Sequence, residues 1–313
     1  MRRVDGAATP ARADVERAAE RIAGYARRTP VVEVEPGLWL KLETLQHSGS
    51  FKARGAFNRI LSAREAGLLP AAGVIAASGG NHGLAVAYAA GTLGVRAEIF
   101  VPEVTSPVKV AGLRALGAEI TQTGAIYSDA YEASVKRAAD TGALELHAYD
   151  QFEIAAGAGT TGLEILEQTG GVDTILVAVG GGGLIAGVTA AVAGRARVVA
   201  VEPELIPTLH DALAAGRPVT VNVSGVAADS LGASRVGRVA FDAATAAGVR
   251  SLLVSDDDII AARRELWRSY RIAAEYAGAT APAALLSGAY RRSPGERVAV
   301  IVCGANTDLA TLA

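Results

Sequence analysis

Short apolar runs, each closed by a loop and followed by a stretch with helical spacing, recur along most of this chain. That alternation leaves little choice of fold. Val74-Ile75-Ala76-Ala77, Ala97 to Val101, 117–123, Thr174 to Val179, Arg197 to Glu202, 250–254 and Val298 to Val302 read as strands. Helices are expected over 81–93, from Pro107, over 127–141 and 153–168, after the glycines at 180–183, near 208–215 and 234–247, and over 257–276 and 279–290. Before this series come a helix over 12–27, short strands near 31–34 and 38–42, and a helix from about Lys52 to Gly67. Strands that are apolar throughout need cover on both faces, and parallel neighbours need a crossover helix. The chain therefore reads as α/β, with open, mostly parallel sheets flanked by helices.

Charge and cysteine content exclude some functions. The net charge is -2, so nothing favours nucleic acid or an anionic membrane. The single cysteine, Cys303, can form no internal disulfide, which fits a reducing, cytoplasmic setting. The N-terminus is charged and Ala-rich without an apolar core, so no signal peptide is expected. Thr174 to Gly194 holds no charged residue and is about as long as a bilayer span of ~20 residues. Its centre is Gly180-Gly181-Gly182-Gly183, however, and each glycine costs a helix roughly 1 kcal/mol. A buried strand, a loop and a buried helix account for it better.

Three loops stand where ligands bind in parallel sheets, just beyond the carboxyl ends of strands. They are Ser78-Gly79-Gly80-Asn81-His82-Gly83, Gly180 to Gly183, and Cys303-Gly304-Ala305-Asn306. The first two also open helices, whose unpaired N–H groups attract anions such as a phosphate or a carboxylate. Glycines that merely end strands are the plain alternative for any one loop. Gly181-x-Gly183-x-x-Ala186 followed by Glu202 also fits a dinucleotide fingerprint, which keeps an NAD-dependent oxidoreductase open. That reading gives 46–55 and 78–83 no task. Of the four lysines, Lys52 has the unusual surroundings, whereas Lys41, Lys109 and Lys136 read as ordinary surface charge. His47, His147 and His210 show no metal spacing, and no metal is expected.

Lys41-Leu42-Glu43-Thr44-Leu45-Gln46-His47-Ser48-Gly49-Ser50-Phe51-Lys52-Ala53-Arg54-Gly55-Ala56, the 78–83 loop and the four glycines together resemble the fold-type II pyridoxal 5'-phosphate (PLP) enzymes. The likeness is to their serine/threonine dehydratase (ammonia-lyase) and serine racemase group. It runs in order from about 25 to 308, through Ala156 to Ile165, Val201-Glu202-Pro203 and Glu275 to Ala279. Lys52-Ala53-Arg54 is the dehydratase form, where the cysteine-making branch carries Lys-Asp-Arg. The resemblance implies a tryptophan synthase β-like fold, with a large cofactor domain from 1–72 and 148–313 and a small mobile domain over 73–147. It implies a Schiff base on Lys52, Phe51 beside the pyridine ring, and Asn81 on the phenolic oxygen. The amides of Gly180, Gly181, Gly182, Gly183 and Leu184 would cradle the phosphate, Glu275 would lie near the ring edge, and Cys303 would face the ring nitrogen. Ser78, Gly80, Asn81 and His82 would surround the substrate carboxylate.

The implied reaction is β-elimination from L-threonine or L-serine, giving a 2-oxo acid and ammonia. A serine racemase, a 3-hydroxyaspartate dehydratase or an aryl-serine dehydratase are the alternatives within the group. Serine racemases of this group typically carry a second serine where Gly79 stands, so one-base chemistry from Lys52 is favoured. Leu84 stands where a glutamine is common. Ile206-Pro207-Thr208 replaces the usual acidic pair of a cation site, and Glu202 reads as a solvated strand end. No appended regulatory domain is expected, and the resemblance implies a homodimer or homotetramer acting on a small amino acid.

Overall fold

A computed structural model describes residues 9–312. The reading of the N-terminus as no signal peptide falls partly on residues 1–8, outside the described residues. Helix α1 (Arg12–Ile22) precedes strands β1 (Val31–Glu35) and β2 (Leu38–Leu42). Helix α2 (Lys52–Glu65) then leads into β3 (Val74–Ala77), α3 (Asn81–Thr92), β4 (Ala97–Val101), α4 (Pro107–Ala115), β5 (Glu119–Gln122), α5 (Tyr127–Thr141) and β6 (Leu144–Glu145). The rest comprises α6 (Phe152–Thr169), β7 (Thr174–Ala178), α7 (Gly183–Val192), β8 (Arg197–Pro203), α8 (Thr208–Ala215), α9 (Arg238–Ala247), β9 (Arg250–Val254), α10 (Asp256–Tyr270), α11 (Tyr276–Leu286) and β10 (Val298–Val302).

These strands form two sheets. One has six strands in the order β1-β2-β10-β7-β8-β9, and the other has four in the order β5-β4-β3-β6. Every pairing is parallel except β1 with β2. Pro36-Gly37 joins that pair, and a two-residue link can only return antiparallel. The central strands β7 and β10 are buried along their whole length, as sheets covered on both faces require.

Topology decides where a site can form. In the larger sheet the order turns between β10 and β7, and in the smaller between β3 and β6. Crevices open at the carboxyl ends of strands where the order reverses. The loops after β7, β10 and β3 are the three glycine loops, and the fourth, after β6, is 146–151. Helix α2 works with both sheets. Ala53, Ala56, Phe57 and Ile60 share a core with Val74, Ala76 and Ile99 of the smaller one. On its other side Gly55 lies so close to α6 that a Cβ there would stand 2.8 Å from the Ile154 carbonyl oxygen.

Some boundaries differ from expectation. The helix expected over 12–27 stops at Ile22, before Gly24 in the left-handed region. The helix expected over 257–276 is two helices. Arg271 takes a left-handed conformation (φ 57°), and the N–H of Ile272 reaches back to the Leu266 carbonyl, closing α10 as a glycine would. The next helix then starts at Tyr276 rather than 279, with Glu275 as its N-cap. Residues 217–237 carry no regular element, so α9 starts at Arg238 rather than 234. The uncharged run Thr174–Gly194 divides into β7, the glycine loop and α7, and no described helix is long and apolar enough to cross a membrane.

Candidate active site

Lys52 opens α2, and its side chain ends between the two sheets. The Nζ donates to the Ala148 carbonyl at 2.6 Å, on the segment that returns from the smaller sheet to the larger. The same nitrogen lies 5.1 Å from the centre of the Phe51 ring. Burial pulls the Lys52 ammonium down to about 8, against the pull of Cys303 and Glu275. A lysine in that range is partly neutral near pH 8 and able to act as nucleophile and base. Phe51 is fixed by its own N–H, which donates to the Cys303 carbonyl at 3.1 Å. Cys303 is buried, and burial pushes its thiol well above the usual range. It stays a neutral thiol.

Asn81, the first residue of α3, links the sheets through a chain of side-chain amides. Its Nδ2 donates to Glu275 Oε1 at 2.6 Å, and its Oδ1 accepts from Asn306 Nδ2 at 2.6 Å. Asn306 Nδ2 also donates to the Ser48 carbonyl at 2.8 Å. Burial lifts the Glu275 carboxyl to about 7, while the Asn81 hydrogen bond and the nearby Lys52 oppose this. Gly304 admits Glu275 here, since a Cβ on it would stand 2.1 Å from Oε1. Ser78 Oγ accepts from the Gly80 N–H at 3.2 Å. The N–H groups of Asn81, His82 and Gly83 meet no acceptor among the described residues.

His82 is placed differently from its expected neighbours. Its Nε2 is 2.8 Å from the Leu146 carbonyl, an acceptor, so that nitrogen carries the proton. Burial and then Lys52 press the imidazole down to about 3, so it is neutral. The ring pins the start of α3 to the residue that follows β6. Gly79, whose lack of a side chain favoured one-base chemistry, faces Thr105, and a Cβ there would stand 3.1 Å from the Thr105 methyl.

The glycine loop closes the site from the larger sheet. The N–H groups of Gly180, Gly181, Gly182, Gly183 and Leu184 meet no acceptor among the described residues. Gly182 has φ 90°, and Tyr149 lies against Gly181, where a Cβ would fall 2.2 Å from its ring. Tyr149 follows the Ala148 that holds Lys52, so the lysine and the loop are neighbours. A buried lysine of lowered pKa and a ring of unpaired amides that no side chain could fill suit an aldehyde-bearing phosphate ester such as PLP.

Several supporting residues were not foreseen. Ala148 and Tyr149 carry no motif. Asn306 stood in a quoted loop but without a role. Lys41 is corrected from surface charge to a buried group: it is fully enclosed and donates to Glu164 at 2.6 Å. Arg54 lies beside it, also buried, bonded to both oxygens of Glu43 and both of Glu164 at 2.6–2.9 Å. Burial opposes the Arg54 charge, but Glu43 and Glu164 hold its pKa above the ordinary value. Lys109, also read as plain surface charge, pairs with Asp229 at 2.5 Å, joining α4 to the 217–237 segment. Glu202 is no solvated strand end, being fully buried.

Comparison with known proteins agrees with this geometry. The family described as pyridoxal-phosphate dependent enzyme matches residues 22–304. A phenylserine dehydratase from Ralstonia pickettii is 38% identical, over 94% of this chain and 92% of the relative. An L-threonine ammonia-lyase from Geobacter sulfurreducens is 36% identical, over 95% of this chain and 76% of its own length. The structure of maize serine racemase superposes with a TM-score of 0.91 at 32% identity, covering 97% of this chain and 96% of that one. Motif order, twin sheets and these similarities agree, and the chain belongs to the pyridoxal-phosphate dependent enzymes of fold type II, in the group that holds the ammonia-lyases and serine racemases.

Proposed function

We propose that this chain is a lyase that removes the β-hydroxyl and amino groups of L-threonine or L-serine, releasing a 2-oxo acid and ammonia. One observation carries the reading: Lys52 stands between two sets of unpaired N–H groups, at 81–83 and 180–184, in a site where Gly79 offers no second acid or base. Bound at Lys52, PLP would supply the electron sink for the pair left on the substrate's α-carbon.

The chain's own groups divide the remaining work. The amides of Gly180 to Leu184 would hold the cofactor's phosphate. The amides of Asn81 to Gly83, with Ser78 and Gly80, take the substrate carboxylate. Lys52, freed as a neutral amine, removes the α-proton, and Ala148 O steers its Nζ. The β-hydroxyl then leaves as water, carrying off the proton that Lys52 took from the α-carbon, and hydrolysis of the released enamine yields the 2-oxo acid and ammonia. Asn81 is held by Glu275 and Asn306 to meet the cofactor's edge. Cys303, a neutral thiol at the end of β10, gives the pyridine nitrogen no carboxylate to keep it protonated. A weaker sink favours quick loss of a leaving group. With Gly79 bare, no side chain at that position can return a proton, which disfavours racemisation.

An aryl-serine substrate is a second reading, favoured by the 38% identity to the phenylserine dehydratase. The NAD reading rests on the glycine spacing and on Glu202, but Glu202 is buried and its carboxylate is already taken by the N–H groups of Leu209 and His210. Holoenzyme offered L-threonine, L-serine, phenylserine and 3-hydroxyaspartate is assayed for 2-oxo acid, with chiral analysis of residual serine. The expected result is 2-oxobutyrate from L-threonine or pyruvate from L-serine, and loss of both with Lys52→Ala. Faster release from phenylserine moves the substrate to the second reading. D-serine formed without oxo acid refutes elimination.

A further inference from the structure

The amides of the glycine loop are aimed from behind, by groups outside the site. In a trans peptide, the carbonyl of one residue and the N–H of the next point in opposite directions. The Gly180 carbonyl accepts from Thr208 Oγ1 at 2.6 Å. Those of Gly181 and Gly182 accept from the N–H groups of Gly237 and Ala186, each at 3.0 Å. The N–H groups of Gly181, Gly182 and Gly183 therefore turn away from these partners, toward the side where no acceptor meets them.

Two of those three carbonyls are held by backbone, which hardly depends on residue type. The first is held by a side chain. Thr208 opens α8 and is fully buried. Glu202, at the end of β8, fixes the start of that helix. Its carboxylate accepts from the N–H of Leu209 at 2.7 Å, the N–H of His210 at 2.8 Å and the Ser251 hydroxyl at 2.5 Å. Thr208 Oγ1 is 3.2 Å from Glu202 Oε1 but has one hydrogen, which the shorter contact to Gly180 takes.

We propose that Thr208 is a positioning residue for the cofactor's phosphate: its hydroxyl locks the Gly180 carbonyl and so aims the Gly181 N–H into the cradle, while Glu202 anchors the helix that carries it. The proposal rests on the reading that the glycine loop takes the phosphate.

The test uses refolded or dialysed apoenzyme reloaded with PLP. Affinity is read from quenching of protein fluorescence, and the bound phosphate by phosphorus NMR between about pH 5 and 9, a span that brackets the ester's second pKa of about 6. Wild-type holoenzyme should give one resonance that does not titrate. Thr208→Val should bind PLP about tenfold more weakly, equal to about 1.4 kcal/mol, with a displaced or titrating resonance. Thr208→Ser should restore both. If the valine variant does not fold, Thr208→Cys, a weak donor, takes its place and must show the same loss relative to Thr208→Ser. Unchanged affinity and resonance in the valine or cysteine variant overturns the role of Thr208 alone. A wild-type resonance that titrates like a free ester overturns the glycine-loop reading and the proposal with it.

Discussion

Replacing Arg54 by methionine tests whether the buried charge network behind Lys52 is structural. Arg54 is 1% exposed and lies in the first turn of the helix that Lys52 opens. Its guanidinium bonds both oxygens of Glu43 and of Glu164, the Thr160 hydroxyl and the Arg27 carbonyl. Methionine fills similar volume and offers no donor. Glu164 would still have Lys41 at 2.6 Å, but Glu43, itself fully buried, would keep only the Thr29 hydroxyl. Leaving one buried charge without its partner costs about 3–5 kcal/mol. At roughly 2–4 °C per kcal/mol for a domain of 150–250 residues, the apoenzyme should melt on the order of 10 °C lower. Circular dichroism against temperature and urea reads this. Glu43→Gln combined with Arg54→Met removes the stranded charge and should recover about half the loss. A single-variant loss below ~1 kcal/mol, or a double variant no better than the single, would refute the reasoning.

Three further outcomes follow from the titrations. Burial holds Glu275 near 7 in the folded apoenzyme, above its ordinary 4.5. A carboxyl raised in this way lends stability at low pH and loses it as pH climbs through that window. Glu275→Gln should therefore raise the unfolding free energy of apoenzyme at pH 8, by up to about 3 kcal/mol, and change it little at about pH 5; an equal gain at both would sink the idea. Burial likewise draws Lys52 down to about 8. Capture of PLP by apoenzyme, followed as visible absorbance in stopped flow, should rise with a midpoint near pH 8 and level by about pH 9. A rate still climbing toward pH 10 would show a lysine of ordinary basicity. Because that base is lowered on folding, apoenzyme stability should rise between about 8 and 10.5.

Much of the site could be read before any coordinates, because its chemistry is written in local segments. Asn81 and the four glycines follow strand ends that period alone located, and Lys52 stands in the 41–56 motif. Strand limits such as 74–77 and 298–302 coincide with the structure, since a strand buried on both faces is a sharp apolar run. What escaped depends on distant partners. Nothing around Ala148 announces that its carbonyl meets a lysine 96 positions away. Lys41 alternates along a strand as a surface residue would, and only distant partners, Glu164 and Gln168 on α6 and the Thr29 carbonyl, make its burial tolerable. The break at Arg271 was invisible because a non-glycine residue carries the left-handed turn. Thr208 looked like a mere substitution in a cation site.

The return strand between the sheets has a mechanical consequence. Two carbonyls two residues apart, Leu146 and Ala148, grip His82 on the helix after β3 and Lys52 on the helix after β2. The first grip moves with the four-stranded sheet, while the second meets a lysine whose neighbour Phe51 is tied to Cys303 at the end of β10. Rocking one sheet against the other would therefore stretch the Nζ–O contact before it disturbed either sheet's own ladder. Burial is what lowers the basicity of Lys52, so a substrate that drew the sheets together would bury the lysine further and weaken the base that acts on it.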